Sequence, residues 1–149
     1  MFLGEYRHSI DNKDRLTVPA RYRELMDEGA YILRGFDRNL MVLTTKAFEA
    51  ISHRLDQMSV TDPLARALRR LIFGSASRLE IDKAGRILIP DFLCQKVGLA
   101  SDHDAVLVGQ GNYFEIWSSD EWSLQQHALD EAEANTERFK VLDLSTSSG

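Results

Sequence analysis

The sequence predicts an α+β fold in which two tandem copies of one β-α-β unit share a single pseudo-twofold body, and three observations predict it. A ten-residue phrase is written twice, as Ile10-Asp11-Asn12-Lys13-Asp14-Arg15-Leu16-Thr17-Val18-Pro19 and as Ile81-Asp82-Lys83-Ala84-Gly85-Arg86-Ile87-Leu88-Ile89-Pro90, offset by 71 residues. Downstream, Ile32-Leu33-Arg34-Gly35 answers to Val106-Leu107-Val108-Gly109, and Leu40-Met41-Val42-Leu43-Thr44 to Phe114-Glu115-Ile116-Trp117-Ser118, at an offset of 74. The copies therefore differ in length by three residues, somewhere in residues 20–31. Finally, units of about 45 residues without disulfides bury too little surface to fold well alone. Two of them in a 149-residue chain that is 44% hydrophobic can share one core, with strands of each half completing the other's sheet.

Each phrase reads as alternating apolar residues, a polar turn, and apolar residues again, the pattern of strand, tight connection and strand. Asp14 and Gly85 hold equivalent places in the turn, where a three-residue hairpin loop needs a left-handed backbone that Gly, Asn or Asp tolerates. Asp11 is then brought back toward Arg15, and Asp82 toward Arg86, each carboxylate in reach of the turn's N–H groups. Pro19 and Pro90 stop the strand and open short helices over 21–26 and 92–97, because proline at a first helical position gives up only an amide that had no partner. Gly29 and Gly98 are the expected left-handed C-caps. The segments 31–34 with 40–44 and 105–108 with 113–117 read as hairpins, connected through Gly35 and Asn39 and through Gly109, Gly111 and Asn112.

Each unit ends in a helix. Thr44 or Thr45 caps the first, which runs to about Met58; Ser118 or Ser119 caps the second, where Ser118 and Glu121 have capping-box spacing. Phe48 and Trp122 fall at equivalent places and are expected to pack back on their own hairpins. Only the first half carries an extra helix through Phe73, with Thr61 or Asp62 as cap and Pro63 at its start. Leu64, Leu68, Leu71 and Ile72 form its apolar stripe, with Arg66, Arg69 and Arg70 mostly off it, more consistent with a solvated face or subunit contact than with phosphate binding. The acidic final helix, with Trp122, Leu124, Ala128, Leu129 and Ala132, is either an exposed amphipathic arm or the partner of a neighbouring subunit's arginine helix.

Cys94 is the only cysteine, which excludes an intramolecular disulfide framework and fits a reducing compartment. No membrane-spanning run or signal-peptide pattern occurs, so a soluble cytosolic protein is expected, with a disordered tail from Ser145 to Gly149. Net charge is −5, and residues 119–149 carry the whole deficit: seven acids stand against Arg138 and Lys140. Residues 7–23 are locally basic, with Arg7, Lys13, Arg15, Arg21 and Arg23 against Asp11 and Asp14. Because salt screens exposed charges beyond roughly 8–10 Å, this local patch matters more to a polyanion than the global sum.

No phosphate loop, dinucleotide fingerprint or nucleophile elbow occurs, and His8, His53, His103 and His127 lack metal-ligand spacing. An enzyme is not expected, nor a metal, a cofactor, a membrane or a small-molecule substrate. The basic turns are the candidate site: Lys13 and Arg15, and more weakly Lys83 and Arg86, project toward phosphates or guanine edges in a major groove. Asp11, Asp82, Asp14 and Gly85 stabilise the turns. The alternative, that each Arg only pairs with its Asp to stiffen the turn, stands level with this from chemistry alone and is favoured for Arg86, whose neighbourhood supplies only Lys83 and Arg78 as other cations.

Asp-x-x-x-Arg followed by apolar residues and Pro, twice in a chain of this length, resembles the MraZ family of bacterial transcriptional regulators, relatives of the AbrB and SpoVT swapped-hairpin DNA-binding proteins. Asp11, Lys13, Arg15, Pro19, Arg21, Tyr22, Arg23, Asp82, Gly85, Arg86 and Pro90 carry the resemblance, which covers both halves and most of residues 1–140. It implies AbrB-like swapped-hairpin units in a β-barrel-like body: a first repeat over 1–55, an extra helix and linker over 56–76, a second repeat over 77–122, and an acidic helix with a flexible tail over 123–149. It also implies a nucleoid-associated, sequence-specific repressor of the division and cell-wall gene cluster. As a ring-shaped homo-oligomer, such a protein would present first-repeat turns to repeated promoter boxes of double-stranded DNA. Gly usually stands in that family where this chain has Asp14. The competing class is a protein-interaction module, antitoxin-like or a scaffold, that binds no DNA; an enzyme on a related small barrel ranks third.

Overall fold

The computed structural model describes residues 1–142 and Leu144; the tail from Ser145 to Gly149, expected to be disordered, lies outside the described residues. In chain order the elements are β1 (Glu5–Ser9), β2 (Arg15–Thr17), α1 (Ala20–Leu25), β3 (Ala30–Arg34), β4 (Leu40–Thr44), α2 (Thr45–Asp56) and α3 (Pro63–Ser75). They continue as β5 (Ser77–Leu79), β6 (Arg86–Leu88), α4 (Asp91–Val97), β7 (Asp104–Gly109), β8 (Tyr113–Ser118), α5 (Ser119–Leu129) and α6 (Ala132–Phe139). The repeat is thus a repeat of structure, with α3 inserted between the copies.

The three-residue difference falls after the shared proline. Helix α4 has seven residues against six in α1, and the connection that follows it, 98–103, is two residues longer than 26–29. Gly98 caps α4 in the left-handed region (φ 73°), as expected. Gly29 does not cap α1: that place belongs to Met26, at φ −97°, because the shorter first connection turns out of the helix at once. Gly29 instead takes a φ of 105° one residue before β3.

Strand pairing runs between the copies more than within them. Six strands form one antiparallel sheet in the order β1-β7-β8-β4-β3-β5, and β2 pairs only with β6 in a separate two-stranded ribbon. Strand β1 of the first half lies on β7 of the second, β5 of the second lies on β3 of the first, and the ribbon takes one strand from each. This is the exchange expected from the size of each unit. The hairpin pairing expected across each polar turn is corrected: the turn closes, but its flanking strands part and join different sheets. Beyond the ribbon strands, the Val18 amide donates to the Gly85 carbonyl (2.9 Å) and the Ile89 amide to the Asp14 carbonyl (2.9 Å), so each copy's turn is stitched to the other copy.

One face of the sheet and the ribbon enclose the main core. Ile32, Leu40, Val42, Phe114, Ile116 and Leu107 meet Leu16, Val18, Ile87 and Ile89, with Tyr22 of α1 and Leu93 of α4 closing the ends. Each such side chain contributes about 1.5–3 kcal/mol by leaving water, and the core draws them from both halves. The Tyr22 hydroxyl keeps a partner by donating to the Leu3 carbonyl (2.9 Å), and burial pushes its pKa up to about 12, with a smaller push from Tyr6.

Helices α2, α3 and α5 cover the opposite face. Phe48 stacks on Tyr31 with ring centroids 4.4 Å apart, and Trp122 meets Trp117 at 5.6 Å, so both aromatic residues pack on their own hairpins as expected. The Thr44 hydroxyl accepts from the Ala47 amide (3.1 Å), the Asp62 carboxylate from Leu64 (2.9 Å) and the Ser118 hydroxyl from Glu121 (3.2 Å), so the caps were readable in advance. The Glu121 carboxylate does not complete a capping box; it accepts from Arg38 of the β3–β4 connection (2.9 Å). The acidic C-terminal helix is two helices. Glu131 leaves helical geometry (φ −87°, ψ 91°), and the Asn135 side chain donates to the Leu129 carbonyl freed by the break (2.7 Å).

Candidate nucleic-acid interface

The two turns are built alike. In the first, the Asp11 carboxylate accepts from the Lys13 and Arg15 amides (both 2.9 Å) through one oxygen and from Arg15 Nε (2.8 Å) through the other. In the second, Asp82 accepts from the Ala84 and Arg86 amides (both 2.9 Å) and from Arg86 Nε (3.0 Å) in the same arrangement. The left-handed residue falls at Asp14 (φ 58°) and Gly85 (φ 79°). A short side chain that binds its own backbone two and four residues on makes such a turn without help from tertiary packing.

Desolvation, the largest influence on Asp11, raises its pKa, yet the Arg15 and Lys13 amides and the Arg15 guanidinium outweigh it and hold the carboxyl below 3.8. For Asp82 the Arg86 amide is the largest influence and lowers the pKa; desolvation opposes it, and the Ala84 amide and Arg86 charge leave the carboxyl again below 3.8. Both turns are charged and closed at neutral pH.

The ribbon joins the turns into one surface. Arg15 lies opposite Leu88 and Thr17 opposite Arg86, while Leu16 and Ile87 between them are buried, so both arginines stand on the outer face. Arg86 Nη1 also lies 3.6 Å from Asp11 Oδ2, an ion pair between the copies. The side chains of Arg15 and Arg86 are 31% and 32% accessible, so pairing with Asp does not sink either one. Among the described residues, the terminal nitrogens of Arg15 have no hydrogen-bond partner. Lys13 and Lys83 are exposed at the turn tips, one residue apart in the repeat: Lys13 is equivalent to Ala84, and Lys83 to Asn12. A groove of about 730 Å³ runs beside them, lined by Arg15, Arg86, Arg78, Leu88, Asp82 and Glu80.

What lies behind the turns differs. The Arg23 guanidinium of α1 rests against Gly85 so closely that a Cβ there would lie 2.2 Å from Arg23 Nη1. The position equivalent to Arg23 is Cys94 of α4, whose thiol is pushed up to about 12 by burial first and then by the charges of Asp14 and Asp91. The second turn therefore packs on the helix of the first copy. Sequence reasoning counted Arg23 in the basic patch of residues 7–23 but not behind the second turn, and did not place Leu88, which is 60% exposed on the ribbon, at this surface. The 71-residue equivalence was the available signal, and it became usable only once the exchange of strands was known.

Two cations of forked geometry set diagonally across the ribbon, both in reach of Asp11, with flexible lysines beyond them, can donate to phosphate oxygens or to guanine O6 and N7. A two-stranded ribbon is also narrow enough for a major groove about 12 Å wide.

The model of the family described as "MraZ protein, putative antitoxin-like" matches residues 1–71 and again 72–142. The "Transcriptional regulator MraZ" of Herpetosiphon aurantiacus is 41% identical over 145 residues, covering 97% of this chain and 100% of its own. Those of Thermomicrobium roseum and Roseiflexus castenholzii are each 40% identical, covering 87% and 93% of this chain and 89% and 94% of their own.

Proposed function

Since the chain belongs to the MraZ family, we propose that it is a DNA-binding transcriptional regulator, a role that needs no catalysis, and that its β2–β6 ribbon is the surface that meets DNA. One observation supports this above the others: the two repeats place Arg15 and Arg86 on one outer face, each oriented through Nε by an aspartate and each side chain still about a third accessible (31% and 32%), with Arg86 Nη1 also near Asp11. The aspartates reconcile the two sequence readings, because a guanidinium held at one edge loses less side-chain freedom when its other edge meets a phosphate or a guanine.

In this reading Lys13 and Arg15 make the principal contacts, and Lys83 and Arg86 extend them. The protein works as a ring-like homo-oligomer on repeated promoter boxes, repressing the division and cell-wall gene cluster from the nucleoid. Oligomerisation answers the net charge of −5, since one subunit's four site cations bind weakly while linked copies raise the effective concentration for each further contact. Among the described residues no helix is long and apolar enough to cross a membrane.

The test is retention of a repeated-box promoter fragment against scrambled DNA across salt concentrations. Wild-type protein is expected to prefer the boxes with a steep salt dependence, and Arg15→Ala to lose the preference while keeping fold and assembly. Unchanged retention by Arg15→Ala would remove the ribbon from the interface. The acidic C-terminal helices favour the second reading, a protein-interaction module; salt-insensitive capture of a protein with no DNA retention would select it.

A further inference from the structure

We infer that Leu88 is a sequence-reading residue of the ribbon, packing on the C5 methyl of a thymine at or next to the base pair that Arg15 meets. The inference rests on the ribbon being the surface that meets DNA, and it assigns a base group to a residue of that surface that carries no charge. Strands β2 and β6 turn four side chains outward, Arg15 and Thr17 from one copy and Arg86 and Leu88 from the other, because Leu16 and Ile87 between them are fully buried. Leu88 is 60% exposed, lines the groove shared by Arg15, Arg86 and Arg78, and lies directly opposite Arg15 in the register. Opposite residues of an antiparallel pair hold their Cβ atoms roughly 4.5–5.5 Å apart. Bases follow one another at about 3.4 Å along a strand of the duplex, so a group beside Arg15 falls on the same base pair or the adjoining one.

The chemistry of the side chain narrows what it can meet. Leucine neither donates nor accepts a hydrogen bond, so against guanine O6 and N7, or the amino groups of adenine and cytosine, it would strip water from a polar edge and return nothing. The thymine methyl is the apolar group that a base pair offers in the major groove. A lone exposed leucine is ordinary on a protein surface, but this one is set among cations: Arg15 is across from it and Arg86 two residues before it on the same strand, so a duplex whose phosphates or guanines reach those guanidinium groups brings base edges to Leu88. The 71-residue equivalent of Leu88 is Thr17, opposite Arg86, whose single methyl stands beside a hydroxyl. The ribbon thus pairs a forked cation with a methyl-bearing side chain twice, and the pair of Arg15 with Leu88 has the larger apolar surface.

Deoxyuridine differs from thymidine only in lacking that methyl, which gives the test. In a repeated-box promoter fragment the thymines of one box are replaced by deoxyuridine one at a time, and full-length wild type and Leu88→Ala are titrated with each fragment in a gel shift. One replacement is expected to weaken wild-type binding about 4-fold, the equivalent of one buried methyl. Leu88→Ala is expected to bind that fragment and the unmodified one equally, at the weakened level, with its fold unchanged because the side chain lies outside the core. If no replacement weakens wild type, or Leu88→Ala stays as sensitive as wild type to the same replacement, Leu88 does not read the methyl, and the ribbon is then judged by Arg15→Ala alone. Wild type without preference for the boxes over scrambled DNA, or Arg15→Ala that keeps it, removes the ribbon from the interface and this inference with it.

Discussion

The first and second turns share a backbone and differ in nearly everything set upon it. Asp11 and Asp82 make the same three hydrogen bonds, and both turns pass through the left-handed region at the same place. Yet the first presents Lys13 at its tip and spends an aspartate on the left-handed position, while the second presents Lys83 one residue earlier, uses Gly85 there, and leans on Arg23, whose equivalent in the other copy is Cys94. The scaffold and the chemistry it displays are thus separable: two residues fix the turn, and the others are free to make one copy a stronger DNA contact than the other.

The sharpest break in that comparison is between Arg15 and Arg86. A bidentate guanine contact is worth about 1–3 kcal/mol, so Arg15→Ala is expected to weaken promoter binding by about 5- to 150-fold per engaged subunit. Arg86→Ala is expected to cost less, since Asp11 as well as Asp82 already holds its charge. Equal losses in a gel-shift titration would erase the asymmetry. The left-handed positions give the next contrast. Gly85→Ala puts a Cβ into Arg23 at a φ of 79°, with an expected loss of about 1–2 kcal/mol in urea unfolding. Asp14→Gly removes strain at the matching place and is expected to stabilise by up to about 1 kcal/mol.

Acid treats the two turns alike. Their aspartates have folded pKa values lowered beneath 3.8, so the stability they contribute is complete above that value and is lost as pH falls through the folded pKa. Turn opening followed by NMR is therefore expected only below the ordinary carboxylate range, and Asp11→Asn, which also releases Arg86, should blunt it more than Asp82→Asn. Opening near pH 6 in wild type would assign control to another group. The smallest effect belongs to Lys13→Ala, expected to lower the slope of log affinity against log salt by about 1 per engaged subunit with little change in sequence preference.

Most of the local structure was legible in advance. The left-handed residue, the aspartate-closed turns and the caps at Thr44, Asp62 and Ser118, each one of two candidates in the sequence, all depend on groups within four residues of one another, and short range is what a sequence states directly; Pro19 and Pro90 stand one place earlier than expected, as extended N-caps (ψ 144° and 136°) before helices that start at Ala20 and Asp91. Gly29 shows the margin of error: a glycine after a helix satisfied the C-cap pattern, but the shortened connection gave the cap to Met26. Glu121 shows another, since capping-box spacing could not reveal that Arg38 would reach it first.

What the tertiary structure alone decided is which copy each strand serves. Strands β1 and β5, like β2 and β6, carry the same alternation, so pairing within a copy and pairing across copies bury the same faces and look identical along the chain. Closing the body around one core resolves the tie, sending β1 to β7, β5 to β3 and β2 to β6. The adjacency of Arg15 and Arg86, the pair of Arg86 with Asp11 and the cover of Arg23 over Gly85 all follow from that exchange, because contacts between residues about 70 apart are fixed by packing and not by local preference.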